Sequence, residues 1–228
     1  VPRVPTAPGT QLKKSTNATT AAAIGTATPT STPFDTPEPG PTPTATPKPL
    51  AQADADKAGK LVEDGKASFL KSDLTGAESA FIDAIAADPK NLDAYIGLTN
   101  VYLYRPQYWQ QALTTAEAAA KLAPDDGVAQ AYLSWAQQGA HRFEEAQKSA
   151  QHAAELAPDN ATVQAALADV LSSVYEMDDA YAAAKKAVQL DDQNAVAWST
   201  LGSIAYTLEN WDEATDAYDQ AAKLEPDF

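Results

Sequence analysis

A unit of about 34 residues recurs along the last three quarters of the chain, and this period constrains the fold more than any other feature. It is marked by an LxPD-like turn that ends at Pro89, Pro124, Pro158, Asp192 and Pro226, with spacings of 35, 34, 34 and 34 residues. A fixed period of this length is typical of solenoids, in which each unit packs only against its neighbours.

A stripe of small residues lies upstream of each turn. In the last unit it consists of Ala214, Tyr218 and Ala221, at i, i+4 and i+7. The matching triplets are Ala77, Phe81 and Ala84; Ala112, Ala116 and Ala119; Ala146, Ala150 and Ala153; Ala180, Ala184 and Ala187. This spacing puts each triplet on one face of a helix, where small side chains let a neighbouring helix approach closely.

A second stripe precedes the first and is clearest in the last unit, where it contains Trp198, Leu201, Gly202 and Ala205. The combined pattern resembles the tetratricopeptide repeat, a helix–turn–helix unit with W-x2-L-G-x2-Y, then A-x3-F-x2-A, then P. The resemblance covers five units, at 58–91, 92–126, 127–160, 161–194 and 195–228. It implies an all-α fold, a right-handed superhelical solenoid of ten antiparallel helices in five helix-turn-helix repeats.

Single units depart from the pattern. The first has Asp64 where Leu is usual, and the fourth has Asp192 in place of Pro. The second carries one extra residue in its inner turn at 105–108, where Pro106 should end the preceding helix. None of these changes breaks the alternation of helix pairs, so we expect five intact units.

The first 50 residues have a different composition, with 11 Pro, 13 Thr and few large apolar side chains. They cannot bury enough apolar surface to offset the entropy of folding alone. Between Thr28 and Pro49 a proline stands at nearly every second or third position, which favours extended polyproline II over regular secondary structure. The sequence therefore predicts an extended segment at 1–50, acting as linker, stalk or intersubunit strap, and a repeat domain at 51–228.

The alternation of Thr and Pro is also the composition of O-glycosylated stalks. The predicted glycosylation sites are Asn17, Thr28, Thr30, Thr32, Thr36, Thr42, Thr44 and Thr46. The chain begins with Val and has no apolar run long enough to span a membrane, so we expect any signal or anchor to be removed or to lie outside it. Together these features favour an extracellular or cell-surface protein of a prokaryote.

The chain is acidic, with 16 Lys and Arg against 31 Asp and Glu and a net charge of −15. Such a charge argues against nucleic acid as a partner. Residues 1–50 carry four cations and two acids, a charge of +2, which leaves −17 on the repeat domain. The two parts therefore attract each other modestly, although an acidic surface also serves to keep an alanine-rich solenoid soluble.

The sequence predicts no enzyme, no cofactor, no metal site and no small-molecule substrate. Cysteine is absent, and the two histidines, His141 and His152, fall in different predicted helices without an evident partner. Paired acids such as Asp125 and Asp126 stand at predicted helix starts, where capping explains them without calcium.

The ends of the solenoid predict self-assembly. A solenoid unit cannot bury both of its faces alone, and no capping helix follows the fifth unit in this sequence. We expect an end-to-end interface at Leu61, Val62, Phe69, Leu70, Ala214, Tyr218, Ala221, Leu224 and Phe228. Contact between two unlike ends propagates, so the first hypothesis is a homopolymer such as an extracellular filament, in which the N-terminal extension contacts neighbouring subunits.

The resemblance also implies a concave surface, lined by the first helix of each unit, that holds an extended peptide. By family register this surface carries Val62, Lys66, Ile96, Asn100, Tyr104, Ala131, Trp135, Asp169, Ser199, Ser203 and Tyr206, and we expect Ile96, Asn100, Tyr104, Ala131, Trp135 and Tyr206 to bind the peptide. Asn100 matches the clamp that some members use for a terminal carboxylate, but Val128 and Tyr132 replace the basic residues that such a clamp needs. An aromatic groove suits polyproline II. The alternative hypothesis is therefore a monomeric adaptor that binds a separate partner, although the N-terminal extension is itself a suitable ligand.

Overall fold

The computed structural model describes residues 54–225, which belong to one compact unit. These residues form α1 (Ala55–Phe69), α2 (Leu74–Ala87), α3 (Leu92–Leu103), a 3₁₀ helix (Pro106–Tyr108), α4 (Trp109–Leu122), α5 (Gly127–Gly139), α6 (Phe143–Leu156), α7 (Ala161–Ser173), α8 (Met177–Leu190), α9 (Ala195–Thr207) and α10 (Trp211–Leu224). The prediction of ten helices in five pairs is confirmed. The predicted extended segment, its glycosylation sites and Phe228 lie outside the described residues.

Consecutive helices pack against each other along the whole described range. The odd-numbered helices also pack on one another, α1 on α3, α3 on α5, α5 on α7 and α7 on α9. The even-numbered helices chiefly contact the odd-numbered helices next to them in the chain. The result is the predicted right-handed solenoid, with the odd-numbered helices on its concave face. No helix between residues 54 and 225 has the length and apolar character needed to cross a bilayer.

The core is made mainly of alanine. The alanines of the predicted stripes in units two to four are buried, as are Ala77 and Ala84 of the first unit. The Phe81 ring, which is only 2% exposed, fills the core of the first unit. It fits because glycine stands on both sides of it: a Cβ added to Gly65, in the same unit, or to Gly97, in the next, would clash with the ring.

The first helix of every unit begins at an Asp or Asn whose side chain accepts the backbone N–H three residues ahead. These caps are Asp54, Asn91, Asp126, Asn160 and Asn194, at 2.8–3.1 Å. Each cap satisfies a donor that the start of a helix leaves unpaired. The predicted capping role of Asp126 is confirmed.

The turns between units are held by a recurring side-chain hydrogen bond. In each case a donor in the first turn of the new helix reaches back six residues to a backbone carbonyl. The pairs are Tyr95 Oη to Pro89 O (3.4 Å), Gln130 Nε2 to Pro124 O (3.0 Å), Gln164 Nε2 to Pro158 O (2.9 Å) and Trp198 Nε1 to Asp192 O (2.9 Å). Asp192 therefore fulfils, through its carbonyl, the role that proline has in the other units.

The turn inside four of the five units contains a residue in the left-handed region. These residues are Ser72, His141, Tyr175 and Glu209, with φ of 57°, 61°, 65° and 61°. The second unit differs because α3 ends at Leu103 and a 3₁₀ helix begins at Pro106, as the extra residue there predicts. A residue with a Cβ is strained by roughly 1–2 kcal/mol in the left-handed region, whereas glycine is not.

This strain gives a stability prediction. We expect Glu209→Gly to be more stable than Glu209→Ala by about 1 kcal/mol, because both variants lose the carboxylate but only glycine removes the strain. Thermal unfolding of the two variants would measure the difference. Equal midpoints would show that the turn is not strained at this residue.

Candidate interaction surfaces

A cavity of about 500 Å³ is formed by residues of α3, α5, α7 and α9, by the turn after α3, and by Trp109 and Ala112 of α4. The residues that give it its chemical character are Asn100, Tyr104, Tyr132, Trp135, Gln138 and Asp169. Cavities of about 300–1,000 Å³ with apolar walls and a few polar groups are typical binding sites. We call this cavity, together with Glu225 at its edge, the groove.

Three aromatic side chains form the apolar wall of the groove. Tyr132 and Trp135 follow each other on α5 and meet edge to face, with ring centroids 5.2 Å apart. Tyr104, at the end of α3, is 40% exposed and packs edge to face on Phe69 at 5.1 Å. Because Tyr132 and Trp135 are only half-buried, all three rings are available to a ligand.

Asp169 of α7 is the acidic group of the cavity. Burial removes water from its carboxylate and raises its pKa, while side-chain hydrogen bonds with Gln138 and Trp135 act in the opposite direction. The Gln138 amide also donates to the backbone carbonyl of Asp169 at 3.4 Å. The two α5 side chains thus fix the position of the acid.

Glu225, directly after α10, brings a second acid to the groove. Partial burial raises the pKa of its carboxyl group. Burial also raises the pKa of Tyr104, and the negative charge of Glu225 raises it further. The pKa of Tyr132 is raised by burial first, and by Tyr104 and Glu225 after it. The charge of Glu225 therefore acts on both Tyr104 and Tyr132.

No cation between residues 54 and 225 lowers the pKa of Asp169 or Glu225. Arg105 lines the cavity, but its guanidinium donates to the Glu78 carboxylate of α2 and is neutralised by it. The groove therefore combines an aromatic wall with two partly dehydrated carboxylates. This chemistry suits a cationic, partly apolar ligand and opposes an anionic one.

The structure brings together four of the predicted concave-surface residues, Asn100, Tyr104, Trp135 and Asp169, which all line the cavity. Val62, Lys66, Ser199 and Ser203 do not line it. Ile96 is half-buried outside the lining, and Ala131 is fully buried beneath Trp135, where a ligand cannot reach it. Tyr206 is 59% exposed but contacts Trp211 rather than the cavity.

The predicted groove set included Asp169 but left out Tyr132, Gln138 and Glu225. The family register could have supplied Tyr132 and Gln138, because each lies about one helical turn from Trp135 on the same helix. Glu225 lies far from α3 in the sequence, and no sequence signal places it near Tyr104.

A second surface lies on the outer side of α10. Tyr218 rests on Gly202 of its own unit and is 42% exposed. Phe81 has the same position in the first unit but is buried, because Gly97 of the second unit covers its other side. The exposed face of α10 therefore corresponds to the face that a following unit covers elsewhere in the solenoid.

Trp211 is likewise more exposed than the matching residue of an earlier unit. It is 53% exposed, whereas Trp109, at the matching position in the second unit, packs against Gly139 of the third. Both tryptophans begin the second helix of their unit. Tyr218 and Trp211 together form what we call the α10 face.

The predicted end-to-end residues differ in exposure. Tyr218 and Leu70 are exposed, Leu70 by 63%. Leu61, Phe69, Ala221 and Leu224 are half-buried, and Val62 and Ala214 are buried, each with 3% exposure. Val62 and Ala214 thus belong to the interior of their own helix pairs.

The two histidines have local neighbours. The His141 ring lies 5.4 Å from Trp109 and 5.9 Å from Phe143, which fits the packing role expected from the sequence. His152 Nδ1 lies 3.8 Å from the Glu155 carboxylate on the same helix. Within residues 54–225, no group of three or more His, Asp or Glu side chains is placed to hold a metal ion.

Comparisons with known proteins agree with this architecture. The family model described as tetratricopeptide repeat matches residues 195–228. The thermophilic TPR protein TTC0263 of Thermus thermophilus is 20% identical and superposes with a TM-score of 0.63, over 74% of this chain and 92% of that one. PilF of Pseudomonas aeruginosa is 17% identical, with a TM-score of 0.54 over 74% of this chain and 76% of that one.

The Cut9–Hcn1 hetero-tetramer of the APC/C is 20% identical, with a TM-score of 0.61 over 75% of this chain but only 34% of that one. No curated protein matches the sequence. At these identities the likenesses show the fold alone.

The raised pKa of Asp169 gives a second prediction. Between its unfolded pKa near 3.9 and its higher folded value, the folded chain binds more protons than the unfolded chain, so this carboxylate lowers stability as pH rises through that window. We therefore expect Asp169→Asn to unfold at a higher temperature than the unmodified chain near pH 7, and the gain to shrink as the pH falls to about 3.

Asp64→Asn is the matched control, because it removes a carboxylate from an exposed position on α1. Thermal unfolding at several pH values measures both variants. A gain for Asp169→Asn that does not change with pH would mean that desolvation of the carboxylate is not its cause.

Proposed function

We propose that this chain, which has the fold of tetratricopeptide-repeat proteins, binds an extended polypeptide segment in its groove. The observation that carries this proposal is the cavity of about 500 Å³, with Tyr104, Tyr132 and Trp135 along one wall. Aromatic grooves bind extended and proline-rich segments well, because such segments lose little entropy on binding. The function proposed is that of a non-enzymatic interaction module.

Polar groups in the groove support an extended ligand. The side chains of Asn100, Gln138 and Asp169 lie among the aromatic rings. An extended backbone leaves its own N–H and C=O groups unpaired, and such side chains can satisfy them. A ligand with internal hydrogen bonds would not need these groups.

A labelled peptide of residues 28–49 tests the groove. We expect the full chain with Tyr104→Ala to bind this peptide at least about tenfold more weakly than the unmodified full chain, because one aromatic anchor is lost. Tyr175→Ala is the control, since Tyr175 is 85% exposed in the turn between α7 and α8 and does not line the cavity. Fluorescence anisotropy measures both, and equal loss in the two variants would contradict binding in the groove.

The α10 face favours a second function, end-to-end self-association. We propose that the first unit of a second copy covers Tyr218 and Trp211, as Gly97 and Gly139 cover Phe81 and Trp109 within the chain. In the first unit, exposed Leu70 has the position that Gly139 has in the third. Because a Cβ at Gly139 would lie 2.5 Å from the Trp109 ring, the second copy must contact Trp211 at a greater separation than the third unit contacts Trp109.

Charge does not decide this pairing. α1 and the turn after it expose Lys57, Lys60, Lys66 and Lys71, but also Asp56, Glu63 and Asp64, and Lys66 pairs with Glu63 at 3.0 Å. α10 exposes Asp212, Asp216 and Asp219 together with Lys223.

Repeated end-to-end contact gives a polymer. Because the extension has a Pro/Thr-rich composition, we propose that the polymer is an extracellular filament of a prokaryotic cell. In this filament residues 1–50 contact neighbouring subunits and carry glycans.

The oligomeric state tests self-association. We expect the full chain to sediment as growing oligomers as its concentration rises, and the double variant Trp211→Ser, Tyr218→Ser to remain monomeric. Tyr175→Ser is the control, because it removes an even more exposed ring from another part of the surface. An unmodified chain that stays monomeric at high concentration would overturn this proposal.

If oligomers form, deletion of residues 1–50 should weaken them, and unchanged assembly would remove the extension from the interface. Intact mass of the native protein would show whether glycans are attached.

A further inference from the structure

The groove holds two carboxylates without a cationic partner among residues 54–225. Asp169 and Glu225 both have a pKa raised by loss of water, and neither pKa is lowered by a cation. Dehydrating a charge costs free energy that an opposite charge can return. The cavity is thus prepared for a positive group that the described part of the chain does not supply.

The aromatic wall adds to this preference. Tyr132 and Trp135 line the same cavity as Asp169, and the Trp135 indole also bonds to the Asp169 carboxylate. A lysine or arginine can lay its aliphatic stem against such rings while its charged end meets the acid. Arg105 does not fill this role, because Glu78 already holds it.

We propose that the groove is a cation pocket whose ligand is Lys48 of this chain's own N-terminal extension. This inference rests on the function proposed above and names the segment that the groove binds. Lys48 is the only basic residue between Thr28 and Pro49, and Pro47 and Pro49 flank it. Proline on both sides of a residue favours an extended backbone, which has little conformational entropy to lose on binding.

The length of the connection permits this contact. Five residues separate Lys48 from Asp54, where the described structure begins. An extended chain of this length spans about 20 Å, at roughly 3.3–3.6 Å per residue. Packed helices lie about 8–10 Å apart, so the three steps from α1 through α3 and α5 to α7, which carries Asp169, cover about 24–30 Å. The extended backbone alone falls short of α7 by several ångströms, a gap comparable with the length of the lysine side chain. The groove of an adjacent copy is open to Lys48 as well.

A labelled peptide of residues 41–53 tests the pocket against full-length variants. We expect the full chain with Lys48→Gln to bind this peptide at least about tenfold more tightly than the unmodified chain, because its groove is no longer occupied by its own lysine. Adding Asp169→Asn should weaken the binding at least about tenfold, and so should a peptide with Gln in place of Lys. Asp64→Asn, the matched loss of an exposed carboxylate, should leave it unchanged.

The outcomes separate this inference from the proposed function. Equal binding to the Lys and Gln peptides, with loss in Tyr104→Ala, would leave the groove as a peptide site and overturn the cation pocket. Equal binding by the unmodified chain and by Lys48→Gln would show that Lys48 is not the resident ligand and would also overturn the inference. Binding unaffected by both Tyr104→Ala and Asp169→Asn would overturn both proposals. A folding defect does not explain weaker binding by Asp169→Asn if that variant unfolds at the same or a higher temperature.

Discussion

Close approach of helices through side chains no larger than a methyl group is the constraint on which this fold depends. Alanines fill the contacts within and between units and have almost no exposed surface. Larger side chains such as Tyr102, Leu113 and Ile204 are also buried, but Phe81 fits only because Gly65 and Gly97 lack a Cβ. Packing at this density makes core positions sensitive to changes of a single methylene. The aromatic side chains of the groove and of the α10 face keep part of their surface outside this core.

The sequence predicts the fold well because the determinants of each unit are local. A stripe, a cap and a turn all lie within 34 residues, and the side chain of Asn194 or Trp198 acts on backbone atoms only three to six positions away. Even the irregular second unit follows from local chemistry, since Pro106 cannot continue α3. Five repetitions of the same local pattern then specify the solenoid.

The groove was predicted less completely, for two physical reasons. Successive side chains on a helix point about 100° apart. An error of one residue in aligning the repeat pattern therefore selects the buried Ala131 instead of the accessible Tyr132. The second reason is that each repeat is rotated by a small angle relative to the one before it. Glu225 acts on Tyr104 only because these rotations accumulate over several repeats, and a local sequence pattern does not reveal the accumulated rotation.

The position of Glu225 ties the groove to the most weakly held helix of the solenoid. Only Ala214 and Ala217 of α10 are buried, and α10 packs chiefly on α9. In a linear array of units, terminal elements open locally at the lowest free energy. Fraying of α10 would withdraw Glu225 and widen the groove, so a bound segment can escape without unfolding the other units. Amide exchange in this helix should then slow when the groove is filled, making the terminal helix a reporter of occupancy.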